Sequence, residues 1–287
     1  MVDVLKVSNV SKKFAGNDFY SLRNINLTVE EGDIVGLIGK NGSGKSTLLK
    51  CITKTYIPTE GAITYRQHDL LKESNMLDDF GIMIETVFYP QLTVEENLNF
   101  YLSIHNKEEY KENIPNILKL VELYKHRNRK PGGFSFGMKQ RLALAIALVA
   151  EPSFLILDEP FVGLDPVGIK RLISILRTWS QDRNVSMIIS SHQLTELESI
   201  CNRYVFIDSG SLSNINQQSI TIVIELNGDV ERLISDIKSY DVDYEGNKLY
   251  LSDKIGAEKL NGLLYTLSKN KLIQKLYPSV GLNKFFE

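Results

Sequence analysis

The residues best suited to chemistry begin with Gly39-Lys40-Asn41-Gly42-Ser43-Gly44-Lys45-Ser46, followed by Thr47. Glycines at this spacing let the backbone curl until successive N–H groups face inward, an arrangement that binds phosphate. A helix opening at Ser46 would add the partial positive charge of its N-terminus. Lys45 is then the cation for β- and γ-phosphates, and the Ser46 hydroxyl is a ligand for Mg²⁺. The candidate nucleotide-binding residues are Gly39, Asn41, Gly42, Ser43, Gly44, Lys45, Ser46 and Thr47. A second group is Asp158-Glu159, directly after the apolar run Phe154-Leu155-Ile156-Leu157. At the C-terminal end of a parallel strand, adjacent carboxylates can hold Mg²⁺ and orient a water beside a phosphate loop.

The elements that must position these residues follow from periodicity. Val4 and Val7 alternate with Asp3 and Lys6, and residues 2–38 read as strands and turns ending in the buried strand Asp33 to Ile38. A helix runs from Ser46 to about Thr53. Residues 93–150 turn helical, and Thr93 with Glu96 makes a capping-box pattern. The runs at 154–157, 185–190 and 204–207 read as buried parallel strands, with a helix over 168–182 that packs Trp179. Strands interleaved with helices predict an α/β architecture with a helical insert at 93–150. The polar stretch Ser209 to Gln218 reads as a linker, giving domains at 1–212 and 213–287.

Composition narrows the function. With 33 basic and 35 acidic side chains the net charge is -2, which leaves no basic footprint for nucleic acid. Cys51 and Cys201 make no disulfide framework and read as reduced thiols. His68, His105 and His126 lack metal-ligand spacing. The longest apolar run, Leu142 to Ala150, stops at Glu151-Pro152, short of the roughly 20 residues a membrane span needs. The expectation is a protein soluble by itself, whose membrane work would need another chain. A guanine-reading N-K-x-D motif is missing. The Asn-Lys pairs continue Glu108-Glu109, Leu249-Tyr250, Leu272-Ile273 and Phe285-Phe286.

The class is carried by Phe134-Ser135-Phe136-Gly137-Met138-Lys139-Gln140-Arg141. This stretch resembles the ABC signature, and Gly137 precedes Asp158 by 21 residues (137 to 158), as in that family. Gly163-Leu164-Asp165 resembles the D-loop, Ser191-His192 the switch histidine, and Phe14 the aromatic that stacks on adenine. The resemblance implies a P-loop ABC cassette in which two copies pair head to tail. Each ATP would lie between Lys45 and Ser46 of one copy and Ser135 and Gly137 of the other. Asp158 would hold Mg²⁺, Glu159 would polarise the attacking water, and His192 would steady the γ-phosphate. Two departures stand out. The signature reads Phe-Ser-Phe-Gly-Met, and Glu85 occupies a position where most cassettes have glutamine. Glu85 is therefore also a candidate metal-site residue.

Glu85, with Phe88-Tyr89-Pro90 and Leu92 to Leu98, resembles the bacitracin-resistance and lantibiotic self-protection branch, and the phenol-soluble modulin exporters of staphylococci. That likeness implies a polytopic membrane partner, a site at the cytoplasmic face of the membrane, and export of amphipathic or antimicrobial peptides. The alternative is an ABC ATPase acting on a ribosome or DNA. Such proteins usually carry two cassettes or long coiled-coil inserts, neither of which this sequence has. Residues 86–92 read either as packing between core and insert or, preferentially, as part of a groove for a short helix of the membrane subunit. Residues 219–287 give the order β-α-β-β-α-β of a small ferredoxin-like α+β domain. Its first helix would carry Val230, Leu233, Ile234 and Ile237, its hairpin turns at 245–248, and a terminal helix covers Val280 to Phe286.

Overall fold

The computed structural model describes residues 3–215, except Ser74, Thr86 and Gln193, and beyond them 221–228, 240, 242–251, 255–269 and 272–279. The chain divides into two compact units, Met1–Ile215 and Asn216–Glu287.

In the first unit, β1 (Asp3–Lys12), β2 (Leu22–Glu30), β4 (Glu60–Tyr65) and β5 (His68–Asp69) form an antiparallel sheet ordered β2-β1-β4-β5. A second sheet is built from β3 (Ile34–Ile38), β6 (Phe80–Met83), β7 (Phe154–Asp158), β8 (Ser186–Ser190), β9 (Arg203–Asp208) and β10 (Ser211–Ile215), in the order β10-β9-β3-β8-β7-β6. The ladders joining β9, β3, β8, β7 and β6 are parallel, and β10 runs antiparallel to β9. Every side chain of β3 and β8 is buried, which is why these strands are continuous apolar runs and not alternating ones. Leu37, Ile156 and Ile188 share one core with Leu48, Leu49 and Ile52 of α1 (Lys45–Ile52). That helix starts at Gly44, whose φ of 115° is a left-handed conformation open to glycine at little cost.

The helical insert holds α2 (Val94–Ile104), α3 (Ile114–Leu120) and α4 (Phe136–Leu148), joined by short 3₁₀ turns. The expected capping box is present. The Glu96 N–H donates to the Thr93 hydroxyl (3.2 Å) and the Thr93 N–H donates to the Glu96 carboxylate (2.7 Å). Asn97, nearly fully buried, accepts from the Tyr89 N–H (2.7 Å). Its amide donates to the carbonyls of Tyr89, Leu92 and Thr93, so residues 89–93 are pinned to α2. The apolar run Leu142 to Ala150 is the end of α4 and its exit. Among the described residues no helix is long and apolar enough to cross a membrane. Two more helices complete the unit, α5 (Pro166–Arg183), which buries Trp179, and α6 (Leu194–Glu198).

One reading is corrected. Residues 211–215, taken from their polarity as linker, form β10, paired from Ser211↔Asp208 to Ile215↔Tyr204. Ser209 and Gly210 both have positive φ (47° and 75°), the conformation of a tight hairpin turn, and an edge strand is held by backbone bonds that polar side chains do not impede. The first unit thus runs to Ile215, three residues past the expected boundary.

The second unit contains β11 (Thr221–Leu226), β12 (Asp243–Glu245), β13 (Lys248–Leu251), α7 (Ala257–Lys269) and β14 (Ile273–Ser279), with an antiparallel sheet ordered β12-β13-β11-β14. Ile224, Leu226, Leu249 and Leu251 of the sheet share a core with Leu263 and Leu267 of α7. The hairpin expected at 245–248 is there, with Gly246 at φ 56°. The expected helices around Val230 to Ile237 and Val280 to Phe286 lie outside the described residues.

Candidate active site

The C-terminal ends of three neighbouring parallel strands deliver the site. From β3 the chain enters the Gly39–Ser46 loop. Lys45 is buried there, and its ammonium donates to the carbonyls of Gly39 (2.6 Å) and Lys40 (3.2 Å). Burial lowers its pKa, while the charges of Glu159 and, after it, Asp158 act to raise it. The Ser43 hydroxyl is buried and has no hydrogen-bond partner among the described residues. A polar atom so placed is costly unless something polar satisfies it, and in this loop the fitting partner is a phosphate oxygen. Asn41, Gly42 and Ser46 are exposed, and Thr47 is half-buried at the start of α1. The β9–β10 turn braces the loop from behind, since the Gly210 N–H donates to the Ser43 carbonyl (2.9 Å).

From β7 come the carboxylates. Asp158 Oδ2 accepts from the Ser46 hydroxyl at 2.6 Å. These oxygens form a hard-donor pair of the kind Mg²⁺ takes alongside phosphate and water. Asp158 Oδ1 accepts from the Ser190 hydroxyl at the end of β8. Glu159 has φ 52°, and its Oε2 lies 2.8 Å from His192 Nδ1. The Ser191 hydroxyl and the His192 N–H also face that oxygen, each at 3.4 Å. Asp158, Glu159, His192, Lys45 and Ser46, named from sequence, are thus brought together. Sequence reasoning missed Ser190, because a serine closing an apolar strand carries no signal until its pairing with Asp158 is known.

Phe14 is half-buried. Its ring meets Tyr56 edge to face with centroids 5.1 Å apart, and the Lys12 ammonium sits 5.0 Å from the Phe14 centroid. Ser135 caps α4 by accepting from the Met138 N–H (3.4 Å) and is exposed. Among the described residues no hydrogen bond joins Ser135 or Gly137 to the Gly39–Ser46 loop. Gly137 instead packs on Gly163, so closely that a Cβ on Gly137 would collide with the Gly163 carbonyl oxygen. Glu85 is held elsewhere: its Oε1 is 2.5 Å from Lys50 Nζ on α1, and this hydrogen bond raises the Lys50 pKa. The carboxylate is thereby balanced by an ammonium, and its direct bond is to Lys50 and not to the Ser46–Asp158 pair. The Lys50–Glu85 pair lies at the lip of a groove of about 440 Å³ between core and insert, lined by Ile84, Phe88, Tyr89, Phe100 and Ile104 among others.

A parallel sheet with a phosphate loop after one strand and paired carboxylates after another defines a P-loop nucleotide hydrolase. A family model described as ABC transporter matches residues 22–162. The uncharacterized ABC transporter ATP-binding protein YcbN of Bacillus subtilis is 37% identical over 218 residues, 74% of this chain and 69% of its own. The bacitracin transport ATP-binding protein BcrA of Bacillus licheniformis is 35% identical over 217 residues, with the same two shares, 74% and 69%. Among solved structures, the dimeric MJ0796 ABC transporter cassette matches with TM-score 0.67 at 26% identity, over 73% of this chain and 97% of that one. So does its post-hydrolysis dimer bound to ADP and Pi, with TM-score 0.67, 26% identity and shares of 73% and 98%. The chain belongs to the ATP-binding proteins of ABC transporters, and it is an ATPase.

Proposed function

We propose that this chain hydrolyses Mg²⁺-bound ATP at the Lys45–Asp158–Glu159 site and thereby powers a membrane partner that exports amphipathic or antimicrobial peptides. The observation that carries the hydrolytic part is the connected set Ser46–Asp158–Ser190 and Glu159–His192, at the strand ends beside the phosphate loop. Lys45 leaves its two carbonyl partners to neutralise the β- and γ-phosphates, and the loop N–H groups with the Ser43 hydroxyl bind phosphate oxygens. Asp158 and Ser46 would hold Mg²⁺, which would supply charge neutralisation for the phosphates. Glu159 accepts a hydrogen bond from the attacking water and so polarises it, and His192 orients Glu159 and steadies the γ-phosphate. The stacking face for adenine is Phe14, braced by Tyr56. Positioning and charge neutralisation supply most of the rate, since phosphoryl transfer asks little covalent chemistry of the protein.

Ser135 and Gly137 complete the site of a second copy in a head-to-tail pair, a reading supported by the dimeric cassette that the fold matches. The groove beside Glu85 receives a short helix of the membrane subunit, which places the chain at the cytoplasmic face of the membrane. The peptide cargo is supported by the likeness to the bacitracin transport protein and by the residues from Glu85 to Leu98. The second unit is read as the ferredoxin-like domain expected from the sequence, one that assists pairing or regulation. Its support is the strand order β12-β13-β11-β14, with α7 joining β13 to β14 along the chain. The test is to purify the chain with its membrane subunit in lipid vesicles and measure ATP hydrolysis against added cargo. Stimulation by bacitracin-like or amphipathic peptides, and not by free amino acids, is expected. Equal hydrolysis with every additive would overturn the cargo assignment.

A further inference from the structure

Adjacent residues on a strand project to opposite faces, so Asp158 and Glu159 cannot both reach one site if β7 simply continues. The backbone resolves this by turning at Glu159 into the left-handed region, φ 52°, where a residue with a side chain rarely sits. The turn is held from the neighbouring strand. The Glu159 N–H is shared between the Ser190 carbonyl (3.0 Å) and the Ser190 hydroxyl oxygen (3.2 Å). The same hydroxyl donates its proton to Asp158 Oδ1, leaving Oδ2 to face the Ser46 hydroxyl at 2.6 Å. Ser190 is fully buried, and it pairs with Leu37 on one side and Asp158 on the other. Its donor goes to Asp158 and one of its acceptor positions to Glu159, the two carboxylate residues.

We propose that Ser190 is the positioning residue of this ATPase: its one hydroxyl fixes both the rotamer of Asp158 toward Mg²⁺ and the backbone turn that aims Glu159 at the attacking water. The proposal rests on the roles given above to Asp158 and Glu159. Alanine at 190 would remove the bond that fixes Asp158 and one of the two that hold the Glu159 amide. Metal binding and hydrolysis would then weaken together, although Ser190 touches neither metal nor nucleotide. A serine that merely filled the core would give no such pairing of effects.

The experiment follows binding of a fluorescent ATP analogue to the full chain, in EDTA and across a Mg²⁺ titration, alongside hydrolysis at saturating Mg²⁺ and thermal melting. Ser190→Ala should keep wild-type nucleotide affinity in EDTA and raise the Mg²⁺ concentration for half-maximal binding about tenfold, as loss of a residue that orients a metal ligand does. Hydrolysis should fall even when Mg²⁺ saturates. Should Ser190→Ala fail to fold, Ser190→Cys fills the site with a slightly larger, weaker donor and should shift the Mg²⁺ titration in the same direction. A wild-type Mg²⁺ titration in these variants, while Asp158→Asn shifts it, overturns the role of Ser190 alone. If Asp158→Asn shifts nothing and Glu159→Gln hydrolyses at the wild-type rate, the reading beneath it fails instead.

Discussion

Four side chains make sharp statements. Glu159 is the only carboxylate bonded to His192 among the described residues, while Asp158 is bonded to Ser46 and Ser190. On the roles proposed above, Glu159→Gln would remove the base and spare the metal ligand, so ATP affinity should persist while hydrolysis drops at least about a hundredfold. Single-turnover hydrolysis with nucleotide binding measured in parallel checks it, and a wild-type rate would reassign the base. Glu85 is balanced by Lys50 at 2.5 Å beside the groove, and its direct bond is to Lys50 rather than to the Ser46–Asp158 pair. Glu85→Gln should therefore leave ATP binding intact and alter transport per ATP more than basal hydrolysis. Equal transport per ATP in both proteins would remove any coupling role. The cysteines give a third expectation. Burial pushes the Cys51 thiol up to about 11 and also raises that of Cys201. At pH 8 roughly one Cys51 in a thousand is then thiolate, so the native protein should resist alkylation and the unfolded chain should take up two equivalents.

At the scale of elements, the groove is shaped by residues of its own lining, which tie the loop at 89–93 to α2. Asn97 of α2 binds the loop 89–93 through four hydrogen bonds, and Tyr89 stacks edge to face on Phe100 with centroids 4.6 Å apart. Tyr89 remains about half exposed, at 48%. Its truncation should spare folding yet weaken capture of the membrane subunit, about tenfold for Tyr89→Ala or Phe88→Ala if either anchors the contact. Unchanged pull-down and an unchanged melting temperature would return the loop to simple packing. The elements legible in sequence were those with local signals: the capping box at Thr93, the apolar runs of β7 and β8, the glycine loop before α1. What stayed hidden depends on pairing between distant segments. Nothing near Ser190 announces Asp158, nothing near Lys50 announces Glu85, and the polar strand β10 gave no periodic signal because its stability comes from backbone bonds to β9.

For the whole molecule, the division at Ile215 sets where it can be cut. Deletion of residues 216–287 should leave ATP binding comparable to wild type while weakening cassette pairing or the coupling of hydrolysis to transport. A truncated protein that folds but binds no ATP at high concentration would refute that division of labour. A cut before Ser211 is expected to do more damage, since it strips β10, whose turn supports the phosphate loop through Gly210 and Ser43. The pairing of Asp158 with Ser190 in the central sheet carries a last consequence. Side chains alternate along a strand, so a slip of one residue between β7 and β8 would set Leu157 against Ser190 and turn the hydroxyl away from both carboxylates. The slipped sheet could still bury its apolar runs and remain compact. Activity regained after dilution from denaturant should therefore lag behind recovered ellipticity, and hydrolysis becomes a count of molecules whose strands have aligned correctly.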